Sequence, residues 1–367
     1  MLEDNNFEIS GQEPENDIEN DVFEEDLQPL TEEEKIEPPE NPYYKILEKH
    51  RNKKEIRRIA LAMGLSTLCI SAISILWSFI YLFFSVVIAR MSIAQATDFL
   101  QNPAIKQVLQ IVLSCSMFLI PFSIAAKCLG VRIDHTIQFE KAKKGTFLPF
   151  LLIGIGFCAF SNIAMNYASS IFDLFGIKYE VNLGDSPKGI FGFLLSFIAT
   201  AIVPALVEEF ACRGILLGLL KKYGKGFAII TSAIVFGIMH SNFQQIPFAI
   251  LVGLILGYIY IKTESIWVCV AVHFANNAIS VIFNYLPTSL SSNLQNLLYI
   301  LYLAAAMLAA IIGVLLLSKN DEMSYELQEE TDDIITNKQK YTWFFTSWAI
   351  IVFIAINIIQ AFAYFKI

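Results

Sequence analysis

GIFGFLLSFIATAIVPALVEEFACRGILLGLL, residues 189–220, is the stretch on which the fold turns. Its first eighteen residues, 189–206, carry no charge, and an apolar run of roughly 20 residues is what a helix needs to cross a bilayer. Glu208, Glu209 and Arg213 then interrupt it, and apolar sequence resumes at once. A charged side chain at bilayer depth costs about 2.5–3.5 kcal/mol to insert, so three together need a reason. On a helix, Glu209 and Arg213 stand four residues apart on one face and can pair. Glu208 is turned about 100° away. An ion pair that fixes helix packing accounts for Glu209 and Arg213, and leaves Glu208 as a second carboxylate with no local partner.

The rest of the chain agrees with a membrane setting. Of 367 residues, 55% are hydrophobic and 16% charged, and the mean hydropathy is +0.55. The apolar residues fall in long blocks, which places the chain among all-α polytopic membrane proteins. The net charge of −8 hides an asymmetry: residues 1–44 hold 16 of the 34 acidic residues and one basic residue, Lys35. That segment is proline-containing, densely like-charged and poor in aromatics, so it is expected to be a disordered acidic tail. It lacks the basic start and apolar core of a signal peptide. The six cysteines (Cys69, Cys115, Cys128, Cys158, Cys212 and Cys269) lie in or beside apolar segments without CxxC spacing. They read as small hydrophobes rather than a disulfide framework or zinc site. No Gly-rich phosphate loop appears, and the basic run at 45–58 abuts a membrane segment, which favours a lipid partner over nucleic acid.

About eight or nine transmembrane helices are expected, from candidate spans near 60–89, 108–126, 146–172, 189–220, 227–241, 246–262, 266–284, 297–317 and 343–365. The fifth is short enough for its far end to stop inside the protein. Lys and Arg concentrate in KILEKHRNKKEIRR (45–58), in the 127–145 loop and at Lys221, Lys222 and Lys225. The excess of positive charge marks the cytoplasmic side, so the N-terminus is expected there. The expected organisation is an acidic cytoplasmic tail (1–44), N-terminal membrane helices with a basic juxtamembrane segment (45–145), a central block holding the charged span (146–317), a cytoplasmic linker (318–342) and a last transmembrane helix (343–367).

Two later stretches supply partners for Glu208. VFGIMHSNF places His240 at the end of the fifth span with Phe236 one turn earlier, and AVHFANNAIS places His273 and Asn277 four apart on one face of the seventh. The other histidines, His50 and His135, lie in polar sequence. Counting 1.5 Å per residue, Glu208 and His240 both fall roughly 20 Å from the 221–226 turn, Asn277 roughly 17 Å in from Ser265, and His273 about one turn shallower. The four groups share a slab of the membrane. A carboxylate beside a histidine in a low-dielectric cavity can deprotonate a water. A second histidine and an amide can donate to the oxyanion of a tetrahedral centre. Cys212, four residues from Glu208 in apolar surroundings, reads as a packing residue, so the pattern fits attack by water better than covalent catalysis.

EEFACR (208–213), FGIMH (236–240) and HFANN (273–277) resemble, in order and spacing, the EExxxR, FxxxH and HxxxN motifs of the CPBP family, the CAAX proteases and bacteriocin-processing enzymes that include bacterial Abi proteins. The resemblance covers about residues 190–285. It implies an intramembrane endopeptidase core in which Glu208 activates the water with help from His240. His273 and Asn277 would stabilise the oxyanion, and Glu209, Arg213 and Phe236 would support them. Spacing favours Asn277 over its neighbour Asn276. Some members are called metalloproteases. Glu208, His240 and His273 could in principle hold zinc at a three-ligand open site, but no HExxH is present, and a metal-free glutamate mechanism, with no cofactor, is the preferred expectation.

Two further readings stay open: a proton-coupled transporter, since buried Glu, Arg and His also build proton relays, although no internal repeat is evident; and a non-catalytic scaffold or immunity protein. The expected partners are a membrane-associated peptide or protein substrate and the lipid bilayer, without nucleic acid. The Ile-, Asn- and Lys-rich style suggests a bacterial plasma-membrane protein.

Overall fold

A computed structural model of the chain describes residues 42–174, 178–179, 186–287, 290–319, 327, 334–362 and 365–366. All but the last three residues of the expected acidic tail lie outside this set, as does most of the 318–342 linker. The structure is a helical membrane bundle. Besides the short helices Ile93–Gln101 and Ile133–Thr136, the helices in chain order are α1 (Pro42–Phe83), α2 (Pro103–Cys128), α3 (Phe147–Leu174), α4 (Gly189–Tyr223), α5 (Lys225–Ile238), α6 (Gln245–Thr263), α7 (Ile266–Asn284), α8 (Ser292–Leu317), α9 (Asn337–Phe345) and α10 (Trp348–Phe362). The described β pairing is a two-residue antiparallel ladder, Lys178–Tyr179 against Phe365–Lys366.

Seven of these helices are long and apolar enough to cross a membrane alone: α1 to α4 and α6 to α8. Two of the nine expected spans differ. The last is not one helix: α9 starts at Asn337, inside the expected linker, and meets α10 at a bend of 70°, so the pair makes at most an eighth span. Thr346 and Ser347 lie at the bend, and the Thr336–Gln339 capping box starts α9 where its sequence is still polar. The fifth, α5, has 14 residues, about 21 Å at 1.5 Å per residue against a hydrocarbon core of about 30 Å. It stops inside the bundle. Ser241 turns the chain at φ 49°, and Asn242 Oδ1 accepts from the N–H groups of Gln244 and Gln245 where α6 begins.

The turns that place α4 to α7 side by side follow from local chemistry. Gly224, at φ +127°, reverses the chain between α4 and α5, a conformation L side chains rarely adopt. Glu264, at φ 52°, ends α6. The 138–143 loop then clamps the α6–α7 turn: Ile266 N–H donates to Gln138 O at 2.9 Å, Ser265 Oγ to Glu140 O at 2.7 Å and Trp267 Nε1 to Phe139 O at 2.8 Å. One of the orphan backbone donors at the start of α7, the Ile266 N–H, is thereby satisfied. Where α6 crosses α5, a Cβ on Gly253 would sit 2.9 Å from Ala233 Cα. The two backbones meet on small residues, as helices in lipid commonly do.

α4 itself is not one regular helix. It opens into π-helical turns at Phe197–Ile202 and Phe210–Leu217, on either side of Val203–Glu209. Pro204 accounts for the first: its ring has no N–H and crowds the carbonyl four residues back. The core is built where α4 to α7 converge, with Cys212, Leu216, Leu220, Leu256, Tyr260, Cys269 and Val272 fully buried. Cys158 is buried too, and all six cysteines are free thiols.

Candidate active site

The adjacent glutamates on α4 go different ways. Glu209 points into the protein and is fully buried; its Oε1 accepts from Arg213 Nη1 at 3.0 Å and lies 2.8 Å from His273 Nδ1. Arg213 is as buried, donates to the carbonyl of Gly253 at 3.3 Å, and lies with its guanidinium carbon 4.6 Å from the centre of the Phe236 ring. The expected Glu209–Arg213 pair is therefore present, and it has a third member, His273, that spacing along α4 could not show. Glu208 stays 16% exposed at its side chain and faces a cavity, with Oε2 3.9 Å from His273 Nε2.

That cavity, about 660 Å³, is walled by side chains from α2 to α8, including the α5–α6 connection. Glu208, His240, His273 and Asn277 all line it, as does Phe236. Glu209 and Arg213 stand behind its wall. The four polar groups expected at one depth thus meet on one surface, delivered by α4, the end of α5, and α7. Cys212 is fully buried and faces the core, in keeping with a packing role.

Hydrogen bonds fix the state of each group. His240 Nδ1 lies 2.9 Å from Phe236 O. A carbonyl only accepts, so Nδ1 carries a proton, and in the neutral ring Nε2 then presents a lone pair. The His240 ring packs edge-on against Phe236 at 5.0 Å. His273 donates through Nδ1 to Glu209, the carboxylate–imidazole arrangement that sets ring orientation, and sits edge-on to the other side of Phe236 at 6.0 Å. Phe236 thus spaces the two imidazoles while its face holds Arg213.

Asn277 Nδ2 donates to Thr200 O at 3.1 Å and Asn276 Nδ2 donates to Asn277 Oδ1 at 3.1 Å. Pro204 has no N–H to give the carbonyl of Thr200, four residues before it. The amide of Asn277 takes that carbonyl instead, tying α7 to α4 beside Glu208 and keeping one N–H for the cavity. Thr200 and Pro204 both line the cavity, and sequence reasoning did not reach them. A proline inside a span, with an amide available on a neighbouring helix, was the available signal.

Among the described residues, no three His, Cys, Asp or Glu side chains are grouped as one metal ion would need. Glu208, His240 and His273 share the cavity wall.

Residues 190–279 match the family described as Type II CAAX prenyl endopeptidase Rce1-like. A protein of Bacillus subtilis (strain 168) described as "Putative membrane peptidase YdiL" is 31% identical over 94 residues, which are 25% of this chain and 38% of that relative. The matched stretch is therefore well under half of the relative's length. No solved structure matches the chain. The chain is a multi-pass membrane protein whose segment from residue 190 to 279, the one that carries Glu208, His240, His273 and Asn277, is similar to the Rce1-like prenyl endopeptidases.

Proposed function

We propose that this protein is an intramembrane endopeptidase that hydrolyses a peptide bond with water activated by Glu208. The observation that carries the reading is that Glu208, His240, His273 and Asn277 line one cavity within the bundle, while Glu209 and Arg213 lie behind it. The similarity of residues 190–279 to a peptidase family supports it.

The hydrogen bonds suggest roles. Glu208 takes one proton from the water while the other O–H, still bonded to oxygen, donates a hydrogen bond to the Nε2 lone pair of His240, and the oxygen attacks the scissile carbonyl carbon. The oxyanion accepts from the free N–H of Asn277 and from Nε2–H of His273, which donates from both ring nitrogens as an imidazolium paired through Nδ1–H with the Glu209 carboxylate. As the C–N bond breaks, Glu208 passes the proton to the leaving amine, giving one new carboxyl terminus and one new amino terminus. Glu209 and Arg213 act through His273, by holding its ring. The step needs no metal and no cofactor. The site opens within a bilayer, so the substrate is a membrane-associated peptide or protein. The basic juxtamembrane run at 45–58 and the 127–145 loop support a cytoplasmic N-terminus, and the composition supports a bacterial cell membrane.

The test is mass spectrometry of membrane peptides from cells carrying the wild type or Glu208→Gln. Fragments found only with the wild type are expected and name substrate and bond together. Identical peptide sets from the two, with both proteins inserted and folded, would remove the protease reading and leave a transporter or scaffold.

A further inference from the structure

Away from the active-site cavity, a groove of about 470 Å³ runs between α1 and α2. It shares no lining residue with that cavity. One wall is a stripe along α1: Arg58, Leu61, Leu65, Cys69, Ala72 and Leu76 follow one another at three- and four-residue steps, one face of a helix. Ile120, Ile124 and Cys128 of α2, four apart, belong to the other wall. From Leu61 to Leu76 the slot is about 22 Å long at 1.5 Å per residue. Beyond Arg58 its lining is apolar side chains and two thiols, apart from Ser66, whose hydroxyl is spent on the carbonyls of Ala62 at 2.9 Å and Pro121 at 3.2 Å. A peptide backbone laid in the slot would leave its N–H and C=O groups unpaired. The occupant that suits it is hydrocarbon.

The mouth is different. Arg58 and Leu61 also line an adjoining pocket of about 410 Å³, whose other side chains are His50, Lys53, Lys54 and Arg57. No charged residue follows Arg58 until Arg90, so the pocket lies where the hydrocarbon of the bilayer begins. Nearby carboxylates are committed elsewhere, Glu48 to Arg51 and Glu55 to Lys222 and Tyr223. Among the described residues, Lys53, Lys54, Arg57 and Arg58 hold no ion pair. An apolar slot that opens onto four unmatched cations at the bilayer boundary suits a lipid with a phosphate head, since guanidinium groups bind phosphate through paired charge-assisted bonds. The acidic segment 1–44 has the charge for the mouth, but nowhere in it do more than two apolar residues stand in a row, so it has nothing to fill the slot.

We propose that the groove and its basic mouth form a resident site for an anionic phospholipid, with one acyl chain along α1 from Leu61 to Leu76 and the phosphate held by Arg57, Arg58 and Lys54. The site is separate from the active site and does not depend on the protease reading. It also has a mechanical neighbour. Glu55, three residues before Arg58, accepts from Lys222 Nζ at 2.8 Å and from Tyr223 Oη at 2.6 Å, so the lipid braces the corner where α1 meets the end of α4.

Native mass spectrometry of the full-length protein in detergent tests this. The protein is mixed with equal amounts of dioleoyl phosphatidylglycerol and dioleoyl phosphatidylcholine, and retained lipid is counted. One phosphatidylglycerol per chain is expected, favoured over phosphatidylcholine by about tenfold or more. Arg57→Gln/Arg58→Gln should lower retention about tenfold. Ala72→Trp fills the slot from an exposed position and leaves every charge in place, and it should lower retention as much. Lys141→Gln/Lys144→Gln removes two charges from the 127–145 loop and should leave retention unchanged. Phosphatidylglycerol should raise the melting temperature of the parent and not that of Ala72→Trp, while the lipid-free variants melt with the parent. Equal retention of the two lipids would overturn the proposal. So would full retention by Ala72→Trp, or a loss in Lys141→Gln/Lys144→Gln equal to that in the arginine pair, since either would reduce the mouth to diffuse surface charge. A full-length chain that retains no lipid, the result if the acidic segment fills the mouth, would overturn it too.

Discussion

Arg213→Met probes the buried cluster most directly. The guanidinium is 1% exposed and makes three contacts: Glu209 Oε1 at 3.0 Å, Gly253 O at 3.3 Å and the Phe236 ring at 4.6 Å. Methionine fills much of the volume but leaves Glu209 buried with His273 as its remaining partner. Removing one side of a buried ion pair costs about 3–5 kcal/mol. The bond to Gly253 (about 1.5–3 kcal/mol for a charged donor) and the contact with Phe236 (about 2 kcal/mol) belong to the same group and do not add in full. We expect a loss of about 4 kcal/mol. In Arg213→Met/Glu209→Met the uncompensated charge is gone, and apolar replacement of a buried pair is often close to neutral, so the double variant should recover to within about 1 kcal/mol of the wild type. The double variant is then about 3 kcal/mol more stable than Arg213→Met alone. Equilibrium unfolding in mixed detergent–SDS micelles, followed by tryptophan fluorescence, measures all three. A single variant that loses under about 1 kcal/mol, or a double variant no more stable than the single, would refute the reasoning that Glu209 depends on Arg213 for its burial. Cleavage should fail in the double variant, where His273 loses its bond to Glu209, and fall in Arg213→Met, where Glu209 keeps that bond but loses the arginine that holds it.

Other expectations separate the roles of neighbouring groups. Glu208→Gln should abolish cleavage and leave thermal stability near that of the wild type, since Glu208 lines the cavity rather than filling the core; a cleavage rate equal to wild type would end its assignment. Asn277→Ala should lower the cleavage rate by about 10²–10³ if it supplies an oxyanion donor, and cost about 1 kcal/mol through the lost bond to Thr200; loss of stability alone would make it purely structural. Cleavage should survive exhaustive chelation, and inactivation with rescue by zinc would overturn the metal-free reading. Gly253→Ala should destabilise by about 1–3 kcal/mol through overpacking, because its Cβ would press on Ala233 at 2.9 Å; a thermal melt unchanged from wild type would show that α5 and α6 have slack at that crossing.

The membrane class, the helix positions and the four groups on the cavity wall were legible in the sequence because each rests on a local rule: the length of an apolar run, the cost of charge at depth, the 3.6-residue period. What escaped depended on contacts between helices. His273 as a partner of Glu209 spans 64 residues of sequence, and no spacing on α4 predicts it. The carboxamides that line the cavity were not apparent because they carry no charge and so leave an apolar run outwardly intact. Asn162 and Asn166, four apart within an otherwise apolar helix, would have answered to the same argument applied to carboxamides. The short α5 was partly foreseen from its length, whereas the bend between α9 and α10 lies at Thr346 and Ser347, which the length of the apolar run does not single out.

The π-helical turns bear on why two consecutive carboxylates exist at all. Successive residues of a helix point about 100° apart, so a glutamate that faces the cavity and one that faces the core can be neighbours. Val203–Glu209 is the regular α-helical piece of α4, and its two last residues divide that way. The wider turns on either side shift the residues they contain. Phe210–Leu217 carries Arg213 to where it reaches both Glu209 and the carbonyl of Gly253, and Phe197–Ile202 places the Thr200 carbonyl within reach of Asn277. The buried pair and the amide tie are thus two clamps, one on each side of Glu208, and they act on the same neighbour: α7 is held by Glu209 through His273 and by Thr200 through Asn277, about one helical turn apart. The geometry of His273 and Asn277 relative to Glu208 is set by both bonds together, so loosening either should move both groups, and variants at Glu209 and Thr200–Asn277 should be strongly non-additive in cleavage while remaining nearly additive in stability.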